Sequence, residues 1–422
     1  MEQKIYNEYV EILKEELLPA MGCTEPIAVA YAAAVAVQAL GEKPESVEVN
    51  VSANIIKNVK SVVVPCTGGL RGIGAAVCAG IVAGCPEKEL EILEEITGEQ
   101  KVEMKKMLDT MPMTIRESDK EYIFDIQIKA CAAGHSGYVE IAGFHTNVIC
   151  VKKDDEIIRE KAYEEQGSSC ATDRSLLTVE KIIEFADCVD VADVEEVLQR
   201  QIDYNWAIAE EGMTGNWGAA IGKTLMEAYG NSVHNRAKAM AAAGSDARMN
   251  GCELPVVINS GSGNQGMTTS LPVIVYAKEL NVSKEMMLRA LVVSNLITIH
   301  MKTGIGRLSA YCGAISAGCG AGAGICYLYG GRAYEISHVI VNAVAINSGV
   351  VCDGAKASCA AKIASAVEAG LLGLQMQKNG KQFYGGDGLV EKGVENTIRN
   401  IGELAKKGMR ETDKTIIQIM TR

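Results

Sequence analysis

Four of the 14 cysteines in this 422-residue chain stand out because of the residues around them. Cys23 lies in a short N-terminal turn, Cys312 lies in a glycine-rich segment, and Cys352 and Cys359 lie seven residues apart. Thiolates are strong metal ligands, and a thiolate beside a substrate also acts as a base or a nucleophile. No two cysteines have the C-x-x-C spacing of zinc ribbons and ferredoxins, so we expect neither a structural zinc nor an electron-transfer cluster. The alternative role for each of the four is packing, because buried free cysteines behave as small apolar residues.

Cys23 directly precedes Thr24, Glu25 and Pro26, a combination that is typical of the start of a helix. The positive end of the helix dipole is expected to favour the thiolate form of Cys23, which could then accept a proton from a substrate carbon. Glu25 lies beside it, where it could orient a substrate ammonium group or share in proton transfer. A glutamate in the first turn is also common simply because it complements the dipole.

Two glycine-rich turns offer groups that could bind a small anion. Residues 259–266 present successive backbone N–H groups and polar side chains, which suit a carboxylate better than a bulky group. The second turn, residues 67–74, contains Arg71 as a predicted carboxylate partner and lacks the G-x-G-x-x-G spacing of a dinucleotide site. Each could instead be an ordinary tight turn. The predicted substrate-binding residues of the first turn are Asn259, Ser260, Gly261, Ser262, Gly263, Asn264 and Gln265.

The hydrophobic pattern predicts the elements that must position these residues. Residues 3–18 have the pattern of an amphipathic helix, and the almost wholly apolar residues 27–40 indicate a buried helix. From residue 177 onward, long Ala/Val/Ile/Met segments separated by Gly, Asn and Ser predict a helical bundle. The fold class is therefore α+β: an N-terminal α/β domain with a small sheet, followed by a mostly helical C-terminal catalytic bundle. Further helices are predicted at 73–83 and 87–109, and strands at two places within 46–64, at 122–132 and at 137–152.

Charge and composition narrow the function classes. A formal net charge of -12 and a pI near 5.1 would repel nucleic acid and anionic membrane surfaces, so a small-molecule substrate is expected. The first residues lack the basic, apolar and small-residue regions of an export signal, which predicts a cytoplasmic protein with reduced thiols. The uncharged segment 308–331 is long enough to span a bilayer, but its seven glycines would make insertion weak. We therefore expect no membrane partner.

Taken together, residues 21–26, residues 259–266 and the pattern of Cys312, Cys352 and Cys359 resemble the L-cysteine desulfidase family. The C-terminal half more distantly resembles the α region of iron-sulfur L-serine dehydratases. The resemblance runs over nearly the whole chain. It implies β-elimination of L-cysteine to hydrogen sulfide, ammonia and pyruvate.

The same resemblance implies the roles of the cysteines. Cys312, Cys352 and Cys359 would hold a 4Fe-4S cluster, and Cys23 would be the proton acceptor. Three protein ligands leave one iron that the protein does not ligate, and this iron could act as a Lewis acid on the substrate sulfur. The chain would then divide into N-terminal helices that pack on the helical core (1–45), an α/β domain (46–170) and a serine-dehydratase-alpha-like helical domain that carries the cluster (171–422).

The spacing of two cysteines tests this cluster. Along an uninterrupted α-helix, Cys352 and Cys359 would be roughly 10 Å apart. We therefore predict that the chain departs from helix at residues 353–356, where Gly354 permits unusual backbone angles. Cys319 and Cys326 follow Cys312 at intervals of seven and are interpreted as packing residues in a Gly/Ala-rich seam.

Three alternatives stay open. An iron-sulfur L-serine dehydratase would use the same elimination with hydroxide as the leaving group. A pyridoxal-phosphate lyase would need a Schiff-base lysine, and no lysine has a recognisable setting for that role. A non-catalytic membrane or thiol-rich scaffold protein would explain the uncharged Gly/Ala segments. For the assembly, we expect a homodimer.

Overall fold

The computed structural model describes residues 1–163, 172–306 and 309–421. The N-terminal elements are α1 (Gln3–Glu16), β1 (Pro19–Met21), α2 (Thr24–Leu40), β2 (Ser46–Val51), α3 (Ala53–Val59), α4 (Gly72–Ala83), α5 (Gly98–Thr110), β3 (Met113–Glu117), β4 (Asp125–Ala132), β5 (His135–Ala142), β6 (Val148–Lys153) and β7 (Glu156–Glu160).

The rest of the chain is almost wholly helical, which confirms the α+β fold class. A π-helix at Leu404–Gly408 precedes the last helix. The elements are α6 (Val179–Cys188), α7 (Glu195–Thr214), α8 (Ile221–Tyr229), α9 (Val233–Met249), β8 (Pro255–Val257), α10 (Gly263–Glu279), α11 (Lys284–Ile305), α12 (Gly313–Leu328), α13 (Ala333–Asn347), α14 (Cys359–Lys378), α15 (Val394–Glu403) and α16 (Arg410–Thr421).

A six-stranded sheet has the order β3-β2-β4-β5-β6-β7 and is antiparallel except for the parallel pair of β2 and β3. In this sheet Val49 of β2 lies opposite Ile115 on one side and Ile128 on the other. Apolar side chains from alternate strand positions form one face, and α2 packs on β4 and β5 there. This apolar layer is the core of the N-terminal part.

The two N-terminal helices pack in different places. Tyr9 and Leu13 of α1 are buried with Phe185 in the core of the helical part, whereas α2 packs against the sheet and α4. This difference arises because α2 is apolar on all sides and requires a partner on each face. The proposed division near residue 45 stays a prediction, and the boundary at 170/171 lies outside the described residues.

Three predicted elements differ from the structure. The second strand predicted within 46–64 is wrong, because Ile55 and Val59 have the i, i+4 spacing that buries one face of α3. The helix predicted for 87–109 is divided: a 3-10 helix spans Pro86–Glu91, and α5 begins at Gly98, where Thr97 and Gln100 form a capping box. The strand predicted for 137–152 is split into β5 and β6 by a turn.

The uncharged segment after residue 308 contains α12, which lies buried among α10, α11, α13 and α14. Its glycines allow this close approach. A Cβ on Gly318 would lie 2.3 Å from the backbone oxygen of Ala366, and one on Gly320 would lie 2.2 Å from Thr298 Oγ1. Within residues 1–163, 172–306 and 309–421, no helix has the length and apolar character needed to cross a bilayer.

Candidate active site

A cavity of about 110 Å³ lies where the turn before α2 meets the helical part. The small antiparallel sheet of β1 and β8 explains how these distant segments meet, because Met21 pairs with Pro255 and Pro19 pairs with Val257. Cys23 follows β1 by two residues, and the turn 259–266 follows β8. The pairing of two short strands therefore places both segments beside the same cavity.

Cys23 and Glu25 line the cavity as a hydrogen-bonded pair. Cys23 is the N-cap residue of α2, as the sequence predicts, and its Sγ donates to Glu25 Oε2 at 3.1 Å. Glu25 also accepts hydrogen bonds from Thr24 Oγ1 at 3.1 Å and from Asn58 Nδ2 at 3.2 Å. Three donors thus hold one carboxylate beside the thiol.

The protonation of Cys23 corrects the expectation of a thiolate. Burial, and after it the Glu25 carboxylate, raise the pKa of the Cys23 thiol well above its ordinary value, although the positive charge of Arg248 acts in the opposite direction. The field at the start of α2 does not outweigh these effects. The resting pair is therefore a thiol and its acceptor carboxylate.

Cys312, Cys352 and Cys359 line the same cavity. Cys312 is the N-cap residue of α12, and Cys359 is the first residue of α14. Two backbone hydrogen bonds hold the first two side by side: Cys312 N donates to Val350 O at 3.1 Å, and Cys352 N donates to Ala310 O at 2.6 Å. The three predicted cysteines therefore line one cavity from three separate points of the chain.

The segment between Cys352 and Cys359 is not helical, which confirms the predicted departure at Gly354. Gly354 has φ +91°, a conformation that side chains rarely adopt. A Cβ there would also lie 2.2 Å from the backbone oxygen of Lys57. This residue therefore satisfies two requirements at once: a turn in the chain and close contact with α3.

Three cysteine thiols are a donor set that suits an iron-sulfur cluster. In the described parts of the chain, no three His, Cys, Asp or Glu side chains are close enough to hold one metal ion. Burial and the neighbouring Cys352 and Cys359 raise the pKa of Cys312, so three thiolates would be costly here without a cationic partner. Thiolate sulfur is the donor that iron-sulfur clusters use.

The turn 259–266 has two distinct sets of residues. Ser262, Asn264 and Gln265 line the cavity, and Ser262 is the N-cap residue of α10. Gln265 Oε1 is buried and has no hydrogen-bond partner among the described residues. The same holds for the hydroxyl group of Tyr311, another cavity residue. Unpartnered buried polar atoms indicate a place for a polar ligand.

The remaining predicted residues of this turn shape it and do not line the cavity. Asn259 donates through Nδ2 to Asn295 Oδ1 at 2.9 Å, and Ser260 donates to Asn259 Oδ1 at 2.9 Å. The backbone oxygen of Gly261 accepts a hydrogen bond from Thr24 Oγ1 at 3.3 Å. At Gly263, a Cβ would lie 2.5 Å from Arg248 Nε, so only glycine fits against that guanidinium.

Arg71 does not line the cavity, which corrects its predicted role as a carboxylate partner. It is the exposed N-cap residue of α4, and its Nη1 donates to Ser61 O at 3.0 Å. Cys319 and Cys326 are buried within α12 and also lie outside the cavity lining. Their interpretation as packing residues agrees with these positions.

Several polar cavity residues escaped prediction. Arg248 follows the alanine-rich stretch of α9, and Lys302 follows the long apolar stretch of α11. A charged residue at the end of a buried apolar helix was the available signal, because charged side chains are almost never fully buried unless they are paired. The residues missed are Lys57, Asn58, Arg248, Lys302, Tyr311 and Lys362.

Comparison of this chain with known proteins identifies the class to which this fold and cavity belong. The chain belongs to the serine dehydratase alpha chain family, whose model matches residues 87–418. A UPF0597 protein of Desulfitobacterium hafniense (strain Y51) is 59% identical over 99% of this chain and 97% of its own length. The UPF0597 protein of Lachnoclostridium phytofermentans is 50% identical over 99% of this chain and 100% of its own length. That of Treponema denticola is 43% identical over 100% of this chain and 99% of its own length. The distant resemblance to the serine dehydratase α region is thereby confirmed.

Proposed function

We propose that this protein is an L-cysteine desulfidase, a carbon-sulfur lyase that converts L-cysteine to hydrogen sulfide, ammonia and pyruvate. The observation that carries the proposal is the meeting of three cysteines and the Cys23–Glu25 pair at one cavity. Membership of the serine dehydratase alpha chain family supports an elimination from an amino acid. The charge of -12 accords with a cytoplasmic enzyme that acts on a small molecule and not on nucleic acid.

In this proposal, Cys312, Cys352 and Cys359 hold a 4Fe-4S cluster. When bound, such a cluster with one iron free of protein ligands supplies a Lewis acid for the sulfur leaving group. The chain itself supplies the rest: a fixed pocket, the exclusion of water by apolar helices, and the groups that move the proton.

Cys23 and Glu25 perform the proton transfer. Glu25 takes the thiol proton along the existing 3.1 Å hydrogen bond, and the resulting thiolate removes the proton from the α-carbon of the substrate. The electron pair of the Cα–H bond forms the Cα–Cβ double bond as the Cβ–S bond breaks. The products are sulfide and aminoacrylate, which tautomerises and hydrolyses to pyruvate and ammonia.

A second candidate is an iron-sulfur L-serine dehydratase, which the family match specifically favours. The residues assigned above would have the same roles, with hydroxide in place of sulfide as the leaving group. Turnover of L-serine and L-cysteine by the same preparation distinguishes the two. The expected homodimer stays a prediction.

The test is an anaerobic assay of purified protein reconstituted with iron and sulfide and then freed of unbound sulfide. We expect equal amounts of sulfide and pyruvate from L-cysteine, and loss of both in Cys352→Ala. Cys188→Ala is the matched control, because Cys188 is exposed at the end of α6. Turnover of L-serine alone would replace the desulfidase with the dehydratase, and full activity of Cys352→Ala would refute the assignment of the cluster ligands.

A further inference from the structure

Arg248 is a buried cation whose described hydrogen-bond partners are neutral. Arg248 is only 3% exposed. The side chain donates from Nε to Gly22 O at 2.7 Å and from Nη1 to Asn264 Oδ1 at 3.1 Å. Among the described residues, no carboxylate lies within ion-pair distance of it. Burial of a charge without a counter-ion is costly, so an anion is expected beside it.

Two other cations of the cavity lining differ from Arg248 in this respect. Lys57 pairs with Asp413 at 2.5 Å, and Lys362 pairs with Asp353. Their charges are compensated within the protein. The guanidinium has five N–H donors, of which the described partners engage two. These two hydrogen bonds hold the planar guanidinium in place, and Arg248 lines the cavity.

The groups around Arg248 complement an amino-acid zwitterion. The N-terminus of the 17-residue α10 lies beside it, and a helix N-terminus favours a carboxylate. Gln265, in the first turn of α10, is 7% exposed, and among the described residues its Oε1 has no hydrogen-bond partner. This oxygen is an acceptor for an ammonium group. An anion site and an ammonium acceptor therefore adjoin on the cavity wall that contains Cys23.

We propose that Arg248 binds the carboxylate of the substrate, and that Gln265 Oε1 accepts a hydrogen bond from its α-ammonium group. The inference rests on the proposed function, and it makes Arg248 the residue that restricts the site to free α-amino acids. Because Arg248 also binds the backbone oxygen directly before Cys23, the anchored carboxylate places the α-carbon next to the thiol.

The test compares L-cysteine with L-cysteine methyl ester, which lacks the carboxylate charge, and measures sulfide release from both. For the unmodified enzyme we expect kcat/KM to be about 100-fold lower for the ester. In Arg248→Gln the pKa of Cys23 also rises, which lowers kcat/KM for both substrates. Beyond this common factor, kcat/KM for L-cysteine should fall by about 100-fold, mainly through KM, while that for the ester stays within about threefold. Arg71→Gln is the control. It should leave kcat/KM unchanged for both substrates, because Arg71 is exposed and lies outside the cavity.

An equal fall in kcat/KM for both substrates in Arg248→Gln would overturn the proposal, because Arg248 would then act only on Cys23 or on the fold and not on the substrate carboxylate. So would an unmodified enzyme that does not discriminate against the ester. Retained ester turnover is itself the evidence of folding. If Arg248→Gln does not fold, Arg248→Lys is the second variant, and it should raise KM for L-cysteine by about tenfold with little effect on the ester.

The failure of the proposed function gives a different result. If the unmodified enzyme releases no sulfide but turns over L-serine, the same comparison with L-serine methyl ester decides the role of Arg248. If it turns over neither amino acid, the proposed function fails and the inference fails with it.

Discussion

At the scale of single residues, the chemistry of this site depends on a thiol and a carboxylate 3.1 Å apart. The sequence placed Cys23 correctly at the start of a helix, but it suggested a thiolate. The structure shows that burial and Glu25 hold the proton on sulfur. Loss of the thiol proton must therefore precede attack on the α-carbon: the proton passes to Glu25 at neutral pH, and to solvent as the pH approaches the raised pKa of Cys23.

Because the pKa of Cys23 is raised, the thiolate is a minor species at neutral pH, and its fraction grows about tenfold per pH unit below that pKa. We expect kcat/KM to rise with pH from neutral into the alkaline range. In Glu25→Gln the acceptor of the thiol proton is lost, so activity at neutral pH should fall. The carboxylate charge is also absent, so the pKa of Cys23 falls and the rising limb should move to lower pH. If the rise of kcat/KM with pH occurs at the same pH in both enzymes, a group other than Cys23 titrates. Titration of the substrate cannot account for a difference, because both enzymes receive the same substrate.

At the scale of elements, the non-helical loop before α14 determines whether the three cysteines can share one centre. Gly354→Ala should force the loop away from Lys57, because φ is +91° and the added Cβ would meet a backbone oxygen at 2.2 Å. We expect an unfolding free energy lower by about 1–3 kcal/mol and activity lower by about 100-fold. The measurements are bound iron, urea unfolding and sulfide release.

The control for this loop is Gly349→Ala. Gly349 has no positive φ, and a Cβ there would meet nothing within 4 Å. Its iron content, stability and activity should match those of the unmodified protein. If Gly354→Ala also retains full iron and activity, the loop tolerates displacement and does not determine the geometry of the cysteines.

At the scale of the whole molecule, the final helix supports the cavity. Asp413 of α16 pairs with Lys57 of α3, whose side chain is 1% exposed and lines the cavity. Asp413→Asn leaves that buried ammonium without its counter-ion, so we expect a loss of about 1–3 kcal/mol of unfolding free energy and reduced kcat. Urea unfolding and sulfide release measure the two effects.

Glu411→Gln is the comparison for this pair. Glu411 and Lys414 are exposed on the same helix, and such surface pairs contribute at most about 1 kcal/mol. Equal effects of the two substitutions would show that Asp413 acts only through the surface charge of α16 and not through Lys57.

The sequence predicts those features of the site that depend on local residue pattern. The helix start at Cys23 and the break at Gly354 follow from residue type and spacing, and both are confirmed. The selection of Arg248 over Arg71 depends on the pairing of β1 with β8. The alanine-rich stretch before Arg248 indicates a buried charge, but it does not show that this charge reaches the same cavity as Cys23. The same limit explains why the contact of α16 with Lys57 was not foreseen.

The contribution of α16 has a consequence for how the protein is made. The cavity draws on residues from Cys23 to Asp413, so a growing chain holds the first of them long before the last is synthesised. Until α16 docks, Lys57 has no counter-ion at that position. Under the proposed function, a cluster bound by all three cysteines can therefore enter a complete pocket only after the chain has been synthesised as far as Asp413. Delivery of iron and sulfide to this protein is then a step of maturation, and a chain truncated before Asp413 would miss it.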